Sequence, residues 1–324
     1  MKYSFSPKNF FVDEVFRPKL IENGKYCYYL TEKKGLSHKQ LKKRLPRDTL
    51  FCGVKDKNAT TKQWFSSKQM IEDIEEDDLK VEYKGRCDEK IWIGKHKGNN
   101  FRILVEVSAA EAKKLKNFNP KKEYVANYFG KQRFDVRVNE FERLLVAKEF
   151  EEALKFFLCE KSKFDSEKSS EIKKEINEKW CKWSELVSSE KIPEAKKAIF
   201  KALGEGKSFE SVFVFVEMKS FKQMLRAIQS KRWNELLHDE VLGKVKHNLN
   251  GVEASRNMKK KIILKENDFE RRFGLRGLER ESYFLAEKYR AKEKEGKFWI
   301  EFNLGKGCYA TTFLEFLEEW LKDK

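Results

Sequence analysis

Apolar residues recur at every second position, or in short β-branched and aromatic runs, through the first third of the chain. From Asn139 they recur at helical spacing. Side chains alternate across a strand, whereas i, i+3 and i+4 share one face of a helix, so a sheet-building segment gives way here to a helix-building one. Strands are expected at Asn9–Phe16, Lys25–Thr31, Thr49–Val54, Gln63–Ser67, Val81–Tyr83, Lys90–Ile93 and Asn100–Val107. The fifth and sixth are read as a hairpin across GRCDE, and Ser37–Leu45 as a helix with Ser37 at its N-cap. Beyond Asn139, Phe141, Leu144, Leu145, Phe150, Leu154, Phe157 and Leu158 mark helices with a wobble near Lys148. Residues 160–200 read as polar helices anchored by Trp180 and Trp183. An amphipathic helix is expected over Ser220–Val245, its buried stripe being Phe221, Met224, Leu225, Ile228, Leu236, Leu237 and Val241. A polar loop follows at 246–260. The tail returns to mixed signals: a helix Glu281–Tyr289, a strand Phe298–Asn303, a glycine turn and a helix Thr312–Lys322. A helical block between two α+β blocks is the pattern of an inserted domain.

Charge narrows the partners. Seventy Lys and Arg against 53 Asp and Glu give +17, and the two signs are interleaved along the whole chain. The folded surface is therefore net positive, a field that attracts polyanions. Aromatic residues reach 14%, enough for a core and for base-stacking platforms. No run approaches the ~18–20 apolar residues of a membrane span, and the N-terminal segment carries acids instead of an apolar signal block. A cytoplasmic protein with no membrane partner is expected. The six cysteines and four histidines show no paired ligand spacing; neither a metal site nor a disulfide framework is expected.

Four windows offer chemistry. In Phe51-Cys-Gly-Val-Lys-Asp-Lys-Asn-Ala-Thr-Thr-Lys-Gln63 a strand runs into Gly53, and a polar loop sets Asp56 between Lys55 and Lys57. Flanking cations favour an ionised carboxylate, which a nucleophile must be; a solvated hairpin tip has the same composition. Asn127-Tyr-Phe-Gly-Lys-Gln-Arg-Phe134 gathers aromatic rings, amides and Arg133 around a glycine, a set suited to an extruded base and its phosphates. It reads equally as a buried aromatic turn. Phe302-Asn-Leu-Gly-Lys-Gly-Cys-Tyr-Ala-Thr311 is a strand ending in a glycine turn, either a ligand loop or a plain strand-to-helix connection. Lys97-Gly-Asn-Asn-Phe101 in isolation is a hairpin turn.

Their combination and order resemble the TruD family of tRNA pseudouridine synthases. GVKDKNATTKQ is similar to that family's G-x-K-D-K/R-x-A-x-T-x-Q motif, NYFGKQRF to NYFGxQRFG, and FNLGKGCYAT to F-x-L-x-x-G-x-[YF]-A-T. KGNNF resembles its GNxF turn, SPKNFFVDE its P-E-D-F-x-V-x-E segment, and AIQSKRWNELL its QSxxFN helix. The resemblance spans nearly the whole chain. Departures are Asp135 for the glycine after QRF, Ser4 where a cation is common, Lys8 and Asn9 for an acidic pair, and Trp233 for phenylalanine.

The resemblance implies an α+β fold: a mixed, largely antiparallel pseudouridine-synthase sheet flanked by helices, with a mainly helical insertion. Boundaries are expected at 1–145 and 276–324 for a discontinuous catalytic domain and at 146–275 for the insertion. It implies an isomerase that converts uridine in tRNA, by default uridine 13, to pseudouridine without a cofactor. Asp56 matches the nucleophile, Phe129 the ring that stacks on the flipped uracil, and Asn127 a hydrogen-bonding group near the base or the aspartate. Phe10 and Phe302 match pocket-lining positions. Lys55, Gln63, Asn99, Arg133 and Tyr309, within the same motifs, complete the candidate substrate-binding set. The cation beside Asp56, given Ser4, is sought at Lys2 or Lys55. RNA is the expected partner, with no obligatory protein partner and a monomer by default. A non-catalytic RNA-binding protein or chaperone on the same fold is the alternative. A metal-dependent nuclease lacks clustered carboxylates or histidines.

Overall fold

The computed structural model describes residues 1–134, 137–161, 165–242 and 261–323. Asp135, the polar stretch 246–260, the last turn of the helix expected to reach Val245, and the side chain of Val241 lie outside the described residues. The described chain forms two compact units. Of the described residues, one unit comprises 1–128, 239–242 and 281–323; the other comprises 129–134, 137–161, 165–238 and 261–280.

The first unit is built on a ten-stranded sheet. Its strands are β1 (Lys2–Tyr3), β2 (Phe10–Val15), β3 (Tyr26–Lys34), β4 (Leu50–Phe51), β5 (Thr60–Ser67), β6 (Ile74–Glu75), β7 (Leu79–Cys87) and β8 (Gly98–Glu106), joined from the far end of the chain by Glu287–Lys294 and Lys297–Gly305. Numbered through the chain, β9 is Val125–Ala126, β10 Lys261–Leu264, β11 Leu278–Glu281 and β12 Tyr283–Phe284, so the two late strands of the main sheet are β13 and β14. The order is β13-β14-β8-β2-β5-β3-β7-β6, with β1 added to β8 and β4 to β5. Only β2 and β5 run parallel among the described pairs. The sheet is therefore mixed and largely antiparallel.

Alternation decides which face is dry. Phe10 and Val12 of β2, Phe101, Ile103 and Val105 of β8, and Phe298, Ile300, Phe302 and Leu304 of β14 face one core, which Phe313, Leu314, Leu317 and Leu321 of the C-terminal helix (Ala310–Asp323) join. A second cluster, Cys27, Tyr29, Phe65, Leu79 and Val81, takes Leu41 from α1 (His38–Lys43). Ser37 caps α1 in a full capping box with Gln40, the arrangement that Ser/Thr-x-x-Gln specifies. At Gly98, opposite Gly305, a Cβ would lie 2.1 Å from the Leu304 carbonyl oxygen. Only glycine fits there, which accounts for the glycine of KGNNF.

The second unit is helical, with α3 (Val138–Val146), which follows α2 (Ala109–Lys116) of the first unit, then α4 (Phe150–Cys159), α5 (Glu167–Glu178), α6 (Trp183–Ser188), α7 (Glu194–Gly204), α8 (Met218–Leu242) and α9 (Asp268–Arg272). The wobble at Lys148 is a corner between α3 and α4, where Lys148 takes φ 59°. Phe141, Leu144, Leu154 and Leu158 face a core shared with Phe200, Phe213 and Phe221.

Several expectations are corrected. Lys90–Ile93 is not a strand: β7 pairs with β3 and β6, the Ile91 amide donates to the Ser66 hydroxyl, and the Gly94 amide donates to the Cys52 carbonyl. Thr49–Val54 shrinks to Leu50–Phe51 before the chain turns. KGNNF opens β8 instead of forming a turn. Glu281–Tyr289 is no helix but β12 and the start of β13, where a bulge between Glu287 and Arg290, with Lys288 at φ 52°, breaks the two-residue period. On α8, Leu236 is 40% exposed while Trp233 is fully buried, so Trp233 takes part of the inward face that the stripe gave to leucine.

Candidate active site

In the first unit, register sets two rows of side chains across one sheet face. Phe302, Phe101, Val12, Thr61 and Lys33 are neighbours on β14, β8, β2, β5 and β3. The adjoining row runs Leu304, Asn99 and Glu14, then Gln63 and Thr31. Directly paired residues point the same way, so an apolar row at the β14 side becomes polar toward β5 and β3. Gln63 is fully buried and, among the described residues, neither of its amide atoms has a partner, nor does Thr61 Oγ1 or Asn99 Oδ1. Buried polar atoms are otherwise almost always bonded, and cost about 1–3 kcal/mol each when they are not. This polar floor is set apart from the rest of the sheet.

The loop between β4 and β5 carries Asp56 at the margin of that floor. Asp56 Oδ1 accepts the Asn58 amide at 2.8 Å, a turn that fixes the carboxylate rotamer. Lys55 does not serve Asp56. Its ammonium is buried and donates to Glu14 Oε1 at 2.6 Å, while Glu14 Oε2 accepts the Trp64 amide at 3.1 Å. Lys2 belongs to β1, opposite Glu106, and is exposed. Among the described residues, the cation that touches Asp56 is Lys33 of β3, which donates to the Asp56 carbonyl at 2.7 Å and to the Leu36 carbonyl at 2.8 Å. Burial pushes Lys33 down to about 8, against the attraction of Asp56. Burial likewise pushes the Cys52 thiol up to about 12, with Glu14 adding to it, and lowers His96, helped by Lys55.

Other candidates on this unit sit as follows. Phe10 and Phe302 flank Phe101, at 6.2 and 5.3 Å between ring centroids, and all three are buried in the core face. Asn127 is buried beside β9; its amide side chain donates to the Glu281 carbonyl at 2.9 Å and its main-chain N–H to the Ser282 carbonyl at 2.8 Å. Tyr309 is half-buried just before the C-terminal helix and accepts the Phe313 amide through its carbonyl.

On the second unit, Phe129 is held by a residue that the QSxxFN string contains but the candidate site set leaves out. Asn234 of α8 accepts the Phe129 N–H at 2.8 Å and donates to the Phe129 carbonyl at 3.1 Å, a two-point clamp. The Phe129 ring meets Trp233 edge to face at 5.6 Å, and the Arg280 guanidinium lies 4.0 Å over its centre. Arg133 is exposed, 5.9 Å from the same ring, and its Nε donates to Ser230. One α8 segment therefore supports the NYFGKQRF turn through Ser230, Trp233 and Asn234. The signal was present in QSKRWN as an amide one residue past the tryptophan. Asn234→Ala strips both partners from the Phe129 backbone; unfolding stability should drop by about 1–3 kcal/mol. A denaturant midpoint equal to wild type would show that the clamp contributes nothing.

The family model described as tRNA pseudouridine synthase D (TruD) matches residues 4–252. The chain belongs to the TruD family. A tRNA pseudouridine synthase D from Aquifex aeolicus is 28% identical over 266 residues, covering 74% of this chain and 66% of that protein. One from Pseudoalteromonas translucida is 29% identical over 145 residues, 41% of this chain and 42% of its own. The chain thus spans less than two thirds of these relatives. A crystal structure of a Methanosarcina mazei protein assigned to TruD superposes with a TM-score of 0.64 at 20% identity, covering 98% of this chain and 92% of that one. The α+β fold, a mixed and largely antiparallel sheet flanked by helices, is the TruD fold. Among the described residues no helix is long and apolar enough to cross a membrane.

Proposed function

We propose that this TruD-family chain is a tRNA pseudouridine synthase, acting in the cytoplasm on a uridine that is by default uridine 13. Asp56 is its nucleophile. The observation that carries the reading is the Asp56 loop itself, a carboxylate oriented by Asn58 at the margin of a buried polar floor in which Thr61, Gln63 and Asn99 keep side-chain atoms unbonded among the described residues. The sheet-built part of the chain, assigned from sequence to 1–145 and 276–324, is the catalytic domain, and 146–275 is the family insertion.

The reaction breaks the bond from C1′ to uracil N1, turns the base, and joins C1′ to C5. The C5 proton leaves to solvent and N1 gains one, so atoms and oxidation state balance without a redox partner or consumed water. An ionised Asp56 supplies what the change needs, an oxygen nucleophile for C1′ or C6 or a base at C2′. The target must leave its stack, at a few kcal/mol, and Phe129 offers a ring to receive it. Gln63 and Asn99 supply amide groups for a base edge. Phe10, Phe302 and Tyr309 shape the apolar side, while Arg133 and the +17 surface hold phosphates. Tritium should be released from tRNA labelled at uridine C5, in step with product, when the purified chain is added. Binding without tritium release would favour the non-catalytic RNA-binding reading.

A further inference from the structure

Lysine is almost never fully buried unless paired, yet Lys33 has no exposed surface. Its ammonium is held by two main-chain carbonyls, those of Asp56 and Leu36. It rises from β3 in the inward phase shared with Cys27, Tyr29 and Thr31, beside Thr61. Three anchors thus converge on one turn: Lys55 is locked by Glu14, the Asp56 carboxylate by the Asn58 amide, and the Asp56 peptide by Lys33. We infer that Lys33 is a positioning residue for Asp56, fixing the main chain of the loop from the sheet side and setting the direction in which the carboxylate is presented. The inference rests on Asp56 being the nucleophile.

A charge in this place is costly to desolvate, and Lys33 is lowered from 10.5 to about 8 by burial. The ionisable groups that act on it are Asp56, which favours its ammonium, and Lys55, which opposes it. Its cross-strand neighbours, Thr61 on β5 and Leu79 on β7, carry no charge. As pH rises through about 8, Lys33 loses its proton and its hold on the Asp56 carbonyl weakens. Stability moves the other way. The unfolded chain keeps this proton up to the ordinary lysine value, so between about 8 and 10.5 this group makes the fold more stable as pH rises. A loss of rate with no loss of folding is therefore the signature of Lys33.

The test is single-turnover pseudouridine formation on tRNA by the full chain, from pH 6.5 to 9, with tRNA affinity and melting midpoint followed in parallel. Lys33→Met should slow the reaction about 10²-fold, the scale of a displaced reacting group, with affinity within about threefold of wild type. The wild-type rate should decline above about pH 8, and the residual Lys33→Met rate should not. Lys33→Arg, whose guanidinium keeps its proton, should also lack the decline, which serves if the methionine variant does not fold. A Lys33→Met protein at the wild-type rate, an unchanged decline in either variant, or a flat wild-type profile would overturn the inference. Asp56→Asn run alongside separates the two claims: an active Asp56→Asn sinks Asp56 as the nucleophile, and with it the reading on which the inference rests, whereas an inert one beside a fully active Lys33→Met sinks only the role of Lys33.

Discussion

Asp56→Asn is expected to lower the single-turnover rate of pseudouridine formation by at least about 10⁴-fold, while tRNA affinity stays within about threefold. The amide keeps the shape of the side chain and can still accept the Asn58 N–H through its oxygen, so the loop has no reason to move. What it lacks is the anionic oxygen that attacks or removes a proton. On the proposed reading, affinity comes from phosphate contacts spread over a net-positive surface, which one neutral substitution leaves in place. A variant that converts uridine at even a tenth of the wild-type rate would remove Asp56 from the mechanism.

Glu14→Gln should cost about 3–5 kcal/mol of unfolding free energy, because it leaves the Lys55 ammonium buried without its carboxylate. The pair is among the least exposed in the chain, 6% for the Lys55 side chain and 0% for Glu14, so solvent screens it little. Replacing both residues with methionine should recover most of the loss, since the desolvation of two charges disappears together with their attraction. Denaturant midpoints of the single and double variants measure this. A double variant as unstable as Glu14→Gln would mean that the damage comes from the Glu14 contact to the Trp64 amide and not from the stranded charge.

Where the pattern was regular, the sequence was readable. Period-two runs located β2, β3, β8 and β14, and Ser37 with Gln40 announced α1. Tyr283, Phe284, Ala286 and Tyr289 misled because the bulge after Glu287 shifts the strand phase and leaves a spacing that mimics a helix. Ile91-Trp-Ile93 misled because β-branched and aromatic residues resemble a strand even where Trp92 and Ile93 are solvent-exposed and the backbone bonds to Ser66 and Cys52.

The candidate functional residues show the same division. Motif residues named the Asp56 loop and the Phe129 turn, because those chemistries are written in short contiguous strings. Lys33, Glu14 and Asn234, which hold them, come from positions 23, 42 and 105 residues distant from Asp56 or Phe129. Their roles depend on strand register and helix face. Lys33 could have been suspected from alternation alone: it continues the inward phase of Cys27, Tyr29 and Thr31, where a lysine has no ordinary reason to stand.

The central claim is that this chain isomerises a defined uridine in tRNA through Asp56. Pseudouridine mapping at single-nucleotide resolution, on an unmodified tRNA incubated with the purified wild-type chain or with Asp56→Asn, tests it most directly. The account predicts one converted uridine, at position 13, with the wild-type chain and none with the variant. Unconverted tRNA with both proteins, or equal conversion by both, would contradict it.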